Sequence, residues 1–201
     1  LDIAEGTGAD KSAISIRDGN KIIFSETFNL TISPLLDKIE ELYNQFGVQY
    51  INIETDGVGR DKYLLLEERG LSVNAIQVGA GAGIQGSEYV EDKEKQEQLK
   101  KDFCGKRDEV WWNFRNILNP NRNLLEEYSD ELPALLPPKE MLRQELSAIT
   151  FKRNDKSKIK ISNKSEIKTK ISRSPDMCDS IVMAFANSED FYSGGSFAMI
   201  N

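Results

Sequence analysis

The sequence predicts an α/β fold: a mixed sheet of three antiparallel strands followed by parallel strands, flanked by helices and carrying a basic β-hairpin. Three observations predict it. Residues 13–24 form two strand-like segments about the turn-forming pair Asp18-Gly19. Residues 33–46 place apolar side chains at helical spacing. Residues 50–69 run from an apolar strand through a Gly-x-Gly turn into a helix, the opening of a βα unit.

The first predicted strand ends in Leu1-Asp2-Ile3-Ala4, and it reads as the close of a strand that begins further upstream. A polar Gly-rich turn follows, Glu5-Gly6-Thr7-Gly8-Ala9-Asp10, in which Glu5 and Asp10 serve turn chemistry. Ala13–Ile16 and Lys21–Phe24 complete the antiparallel trio. Ser33-Pro34 opens a helix with Leu35, Leu36, Ile39, Leu42, Tyr43 and Phe46 on its apolar positions, stopped by Gly47.

Tyr50–Ile53 is the fourth strand, and it leads into Glu54-Thr55-Asp56-Gly57-Val58-Gly59 before a helix over residues 61–69. Asp56 is also a good helix-capping residue. The two glycines are no dinucleotide fingerprint, because the third glycine is missing and the acid precedes the turn. Val73–Val78 reads as a further strand. Gly79–Gly86 holds four glycines in eight residues and reads as a flexible loop.

Residues 91–101, dense in both charges, read as an exposed helix or mobile segment. Lys106-Arg107-Asp108-Glu109-Val110-Trp111-Trp112 opens a long amphipathic helix whose aromatics suit a core. Lys139–Ile149 is another helix. Phe151-Lys152-Arg153 and Lys158–Ile161 flank a turn at residues 154–157, giving a hairpin with lysine-rich edges. Positive charge concentrates from Lys152 to Arg173: Lys152, Arg153, Lys156, Lys158 and Lys160, with Lys164, Lys168 and Lys170, belong to a local basic surface that suits phosphate contacts, and each lysine alone also suits edge protection. The last helix starts at Ser174-Pro175, an N-cap followed by a first-position proline. Its Asp176 lies in the first turn, where the helix dipole favours an anion, so capping and chemistry both suit it. One turn on, Asp179 stands on an otherwise apolar helix, where a carboxylate is costly unless it is bonded, paired or bound to a cation.

Length and composition bound the rest. At 201 residues the chain fits one domain, read as residues 1–190, with 191–201 as a flexible tail. No apolar run is long enough for a membrane span and no secretory signal opens the sequence. Cys104 and Cys178 have no CxxC partner, so a disulfide framework and a zinc site are not indicated. The chain contains no histidine, which removes Ser-His and Cys-His pairs and imidazole bases. A net charge of −7 argues against a general polyanion-coating protein while leaving room for acids that hold cations.

Three acids therefore stand out: Asp2, Glu54 and Asp179, the first two at strand ends. They meet if the first and fourth strands are neighbours and the last helix packs across them. Such a cluster suits Mg²⁺ or Mn²⁺. Two such ions about 4 Å apart can activate a water and stabilise the leaving oxygen of a phosphodiester.

The strand order resembles the ribonuclease H-like fold. More narrowly, four motifs resemble the C-terminal nuclease domain of the large terminase subunit of tailed bacteriophages. They are Leu1-Asp2-Ile3-Ala4-Glu5-Gly6 with Asp10-Lys11-Ser12; Ile53-Glu54-x-x-Gly57-x-Gly59; Lys106-Arg107-x-Glu109-x-Trp111-Trp112; and Ser174-Pro175-Asp176-x-x-Asp179. The resemblance implies a divalent-metal-dependent DNA endonuclease that cuts concatemeric viral DNA during packaging, in the cytoplasm of the bacterial host. It implies Asp2, Glu54 and Asp179 as catalytic metal ligands and Asp176 as an accessory ligand. Glu54 stands where many relatives carry aspartate, which leaves Asp56 as an alternative second ligand. The basic hairpin is implied near the DNA. Partners implied are double-stranded DNA, a packaging ATPase domain of the same polypeptide, the portal and the small terminase subunit. No Gly-x-x-x-x-Gly-Lys-Ser/Thr occurs, so no ATPase is expected of this chain. The competing readings are another ribonuclease H-like enzyme, such as a junction resolvase or transposase, and a non-catalytic DNA-guiding or portal-docking module.

Overall fold

Among the described residues the strands pair two by two, in four two-stranded sheets rather than the single mixed sheet expected from the sequence, and helices pack on two sides of them. A computed structural model describes residues 1–3, 11–56, 59–85, 88–89, 93–120 and 133–186. The predicted turn at Glu5–Asp10, Gly57, and the tail 191–201 lie outside them. Strand β1 (Ser12–Asp18) pairs antiparallel with β2 (Lys21–Phe28) across Asp18 to Lys21. Gly19 takes the left-handed conformation that this tight turn demands, with φ 53°. Helix α1 (Ile32–Phe46) follows and ends on Gly47, again left-handed at φ 60°.

Strand β3 (Ile51–Glu54) pairs in parallel with β4 (Val73–Ile76), and α2 (Gly59–Glu68) is the crossover between them. Of the first predicted strand, the described residues contribute a single antiparallel bridge, Asp2 to Ala13. Asp2 N–H donates to Ala13 O at 3.0 Å and Ala13 N–H to Asp2 O at 2.7 Å. The Leu1 amino group reaches Asn52 O at 2.9 Å. Residues 1 and 2 thus stitch β1 to β3 edge to edge.

Alternation along the strands sorts side chains between two cores. Leu1, Ile14 and Ile53 face α1 and α2 and pack with Leu35, Leu36, Ile39, Leu42 and Leu66. The opposite face meets α7 (Asp176–Phe185), whose Ile181, Val182 and Met183 are buried with Phe114 and Trp111 of α4 (Lys106–Ile117). Asp2, next to Leu1, and Asn52 and Glu54, on either side of Ile53, therefore share the α7 face. Three bonds lock α7 there: Ser15 to Ser180 between hydroxyl oxygens at 2.6 Å, and Asn52 Nδ2 donating to Met183 O at 2.9 Å and Ala186 O at 2.6 Å.

Three features differ from the sequence reading. The glycine-rich stretch pairs as β5 (Ile84–Gln85) with β6 (Glu88–Tyr89), and Gly83 N–H donates to the buried Glu109 carboxylate at 2.7 Å. Glu109 is itself paired with buried Lys106 at 2.7 Å, so the Lys-Arg-x-Glu segment clamps this loop rather than leaving it free. After α3 (Lys93–Asp102), α4 and α5 (Glu140–Ala148), β7 (Phe151–Arg153) pairs antiparallel with β8 (Ile159–Ile161). The second difference is helix α6 (Lys164–Ile171), where the sequence reading saw only basic charge. Its start signal is a capping box: the Asn163 side chain accepts Glu166 N–H at 2.8 Å, and the Glu166 side chain accepts Asn163 N–H at 2.8 Å. Third, Ser174 does not cap α7. Pro175 holds the cap position, no local side chain bonds the helix end, and a carboxylate from α5 does so instead.

Candidate active site

The three predicted acids sit on one face, brought together by the stitch of Leu1-Asp2 between β1 and β3 and by the docking of α7. Asp2 and Asp179 are joined through one group the sequence reading missed as a site residue, Lys164. Its ammonium lies 3.0 Å from Asp179 Oδ2 and 3.6 Å from Asp2 Oδ2. Lys164 is the first residue of α6, so the capping box at Asn163 and Glu166 aims it; that S/T/D/N-x-x-E pattern was the signal available in the sequence.

Burial dominates the electrostatics. It pushes the Asp2 carboxyl up to about 7; Lys164 pulls the other way, and Asp179, Asp176 and Glu54 push further. Burial likewise raises Glu54, opposed by Lys164 and Arg107 and reinforced by Asp179 and Asp56. Asp179 is raised by burial against the pull of Lys164 and Arg107. Burial disfavours the Lys164 charge too, but Asp179, Asp2 and Glu54 outweigh it and hold the ammonium more firmly protonated than usual. The site is thus an excess of carboxylates around the Lys164 ammonium, with Arg107 as a second positive charge nearby.

Glu54 reaches this face because β3 ends there. The backbone turns so tightly that a Cβ on Gly59 would stand 1.8 Å from Glu54 O. That close approach is the physical use of the second glycine of the Gly-x-Gly turn. Asp56 is exposed and its Oδ2 accepts Gly79 N–H at 2.6 Å, which ties the ends of β3 and β4 together. Asp176 is buried, and its Oδ2 accepts Lys11 N–H at 3.1 Å, so it anchors the start of β1 to α7. Arg107 donates to Ser162 O at 3.0 Å, with its guanidinium 5.6 Å from the Trp111 ring.

The basic hairpin stands beside α6. Lys152 reaches Glu166 at 4.0 Å and Arg153 donates to Ser157 O at 2.6 Å. Lys158 donates to Lys100 O, while Lys156 and Lys160 are exposed. At its base exposed Phe151 packs edge-on against Trp112, ring centres 4.8 Å apart, with Arg115 over the Trp112 face at 4.6 Å. Trp111 is core, as the helical spacing predicts.

The donor set suits a hard divalent cation, which prefers carboxylate oxygen. Two observations support the fit. Asp179 Oδ2 is buried, and its recorded partner among the described residues is the Lys164 ammonium at 3.0 Å. And a cation of the chain's own already stands between Asp2 and Asp179. Among the described residues no three acids close on a single point as a finished metal cage.

No protein-family model and no curated protein matches the sequence. Solved structures do resemble the fold. The nuclease domain of the large terminase subunit gp2 of bacterial virus Sf6 aligns with a TM-score of 0.69 at 20% identity, over 91% of this chain and 84% of that one. A mutant of gp2c from the bacteriophage Sf6 large terminase subunit with calcium gives a TM-score of 0.72 at 22% identity, over 91% of this chain and 85% of that one. A mutant of the same nuclease domain with manganese and beta-thujaplicinol gives 0.70 at 22% identity, over 91% and 84%. The chain therefore has the α/β fold of a terminase nuclease domain.

Proposed function

We propose that this chain is a divalent-metal-dependent DNA endonuclease, cutting phosphodiester bonds of concatemeric viral DNA during genome packaging. The observation that carries the reading is the convergence of Asp2, Glu54 and Asp179 on the α7 face around a buried carboxylate oxygen held by the Lys164 ammonium. The shared fold with terminase nuclease domains, some solved with manganese or calcium, supports it.

Asp2, Glu54 and Asp179 are the residues that would hold Mg²⁺ or Mn²⁺, two ions in all, with Asp176 as the accessory ligand and Asp56 a neighbour of Glu54. When bound, such ions supply Lewis acidity to the phosphate and lower the pKa of a coordinated water. The chain's own residues do the rest. Burial on the α7 face excludes bulk water and strengthens each charge interaction. Lys164 keeps the carboxylates from repelling one another in the metal-free protein. Lys152, Arg153, Lys156, Lys158 and Lys160 hold the DNA backbone, offsetting a net charge of −7. With double-stranded DNA as substrate, the remaining partners follow from the same reading: a packaging ATPase, the portal and the small terminase subunit, in the host cytoplasm.

Plasmid nicking tests this directly. Cleavage is expected with Mn²⁺ or Mg²⁺, none with EDTA, and none for Asp179→Ala with an unchanged circular dichroism spectrum. Metal-independent cleavage, or full activity in that variant, removes the site. No cleavage with any divalent ion, but retained DNA binding, favours a DNA-guiding module instead.

A further inference from the structure

α7 carries two of the proposed ligands, yet it has no cap of its own. The N–H groups of a first helical turn have no intrahelical partner and need an acceptor when buried. Here the acceptor comes from a different helix. Glu145 of α5, only 1% exposed, accepts Cys178 N–H at 2.8 Å through Oε2. Its other oxygen, Oε1, accepts Arg173 Nη1 at 2.6 Å. Arg173 is braced in turn on α5, donating to Met141 O at 3.1 Å and Gln144 Oε1 at 3.3 Å. Cys178 is flanked by Asp179 and lies two residues from Asp176, so this bond sets both the height and the rotation of the turn that presents them.

A carboxylate is an expensive choice for a buried helix contact that packing alone requires. Apolar residues of similar volume often serve a buried ion pair's place at least as well. What an apolar residue cannot supply is a directional acceptor for one chosen N–H. We infer that Glu145 is a positioning residue: locked by Arg173, it caps α7 from outside and holds Asp176 and Asp179 in the register that binds the cation. The inference rests on the metal-dependent reading above. It makes Glu145 neither a ligand nor a catalytic residue, since it acts through α7.

Mn²⁺ titration of the whole chain by calorimetry, with hydrogen exchange of the α7 amides, is the test. Glu145→Ala is expected to bind Mn²⁺ at least about tenfold more weakly at unchanged stoichiometry, as loss of a residue orienting metal ligands does. The Cys178 and Asp179 amides are expected to exchange faster. Glu145→Gln keeps an oxygen for Cys178 N–H while losing the ion pair, so its affinity falls by a smaller factor, about threefold. A folded Glu145→Ala with wild-type affinity overturns the inference, and so does Glu145→Gln that binds as weakly as Glu145→Ala. Where Glu145→Ala does not fold, wild-type affinity in Glu145→Gln overturns it. A wild-type chain that takes up no Mn²⁺ overturns the nuclease reading itself, whereas equal uptake by all three proteins overturns only the role of Glu145.

Discussion

Lys164 Nζ stands 3.0 Å from Asp179 Oδ2, so an acid buried deep in the site is already paired with a cation that the chain supplies itself. The same ammonium is 3.6 Å from Asp2 Oδ2. A lysine in that place neutralises the carboxylates and would compete with the proposed metal for the same oxygens.

Removing the ammonium should therefore separate these two effects. Lys164→Ala is expected to bind Mn²⁺ several-fold more tightly than wild type. Without metal at pH 7 it should melt lower, because neighbouring buried carboxylates lose their counter-charge, and saturating Mn²⁺ should restore the loss. Calorimetry and thermal melting with and without Mn²⁺ check both. Weaker Mn²⁺ binding in the variant would mean that the ammonium supports the site instead of competing for it.

Acid should stabilise the metal-free protein over part of its range. Burial pushes the Asp2 carboxyl up to about 7 in the fold against 3.8 without it, so between these values the unfolded chain is ionised while the folded one holds its proton. Stability is then expected to fall as pH rises from 4 to 6, by roughly 2 kcal/mol for one such group. Glu54 and Asp179 are shifted in the same direction. Mn²⁺ affinity should run the opposite way, rising towards pH 7 as protons leave the ligands. Urea unfolding at several pH values decides it; stability that climbs from pH 4 to 6 would contradict the burial of Asp2.

Gly59→Ala tests the turn that places Glu54. Its Cβ would meet Glu54 O at 1.8 Å and the carbonyl carbon at 2.9 Å, both backbone atoms that no rotamer change can move. A loss of about 1–3 kcal/mol is expected, which is roughly 2–12 °C in melting temperature for a domain of this size. Cleavage should fall even where the variant is folded, since the strand end must shift. A melting temperature within one degree of wild type would sink this placement of Glu54.

The hairpin prediction is electrostatic. Replacing Lys152, Lys156 and Lys160 together by alanine should weaken DNA binding equally for unrelated sequences. The slope of log affinity against log salt should shrink by about 2–3, near one for each phosphate left without its lysine. Fluorescence anisotropy across salt concentrations measures it. An unchanged slope would place the DNA elsewhere.

Local chemistry determined much of this protein from its sequence alone. The Asp18-Gly19 turn, the apolar positions of α1 with its stop at Gly47, and the strand–turn–helix at residues 51–68 are all short-range consequences of residue type. Asp179 was visible for the same reason: an acid on an apolar helix has to be accounted for. Tertiary structure decided what local chemistry cannot reach. Lys164 looked like one more lysine in a basic run until the Asn163–Glu166 cap aimed it between Asp2 and Asp179, acids 177 positions apart in number. Ser174 had the right chemistry for a cap, yet a buried carboxylate 33 residues upstream of Cys178 took the N–H first. Hydrogen-bond direction and burial are properties of the packed chain, so which acceptor wins and which cation faces which acid emerge only when distant segments meet.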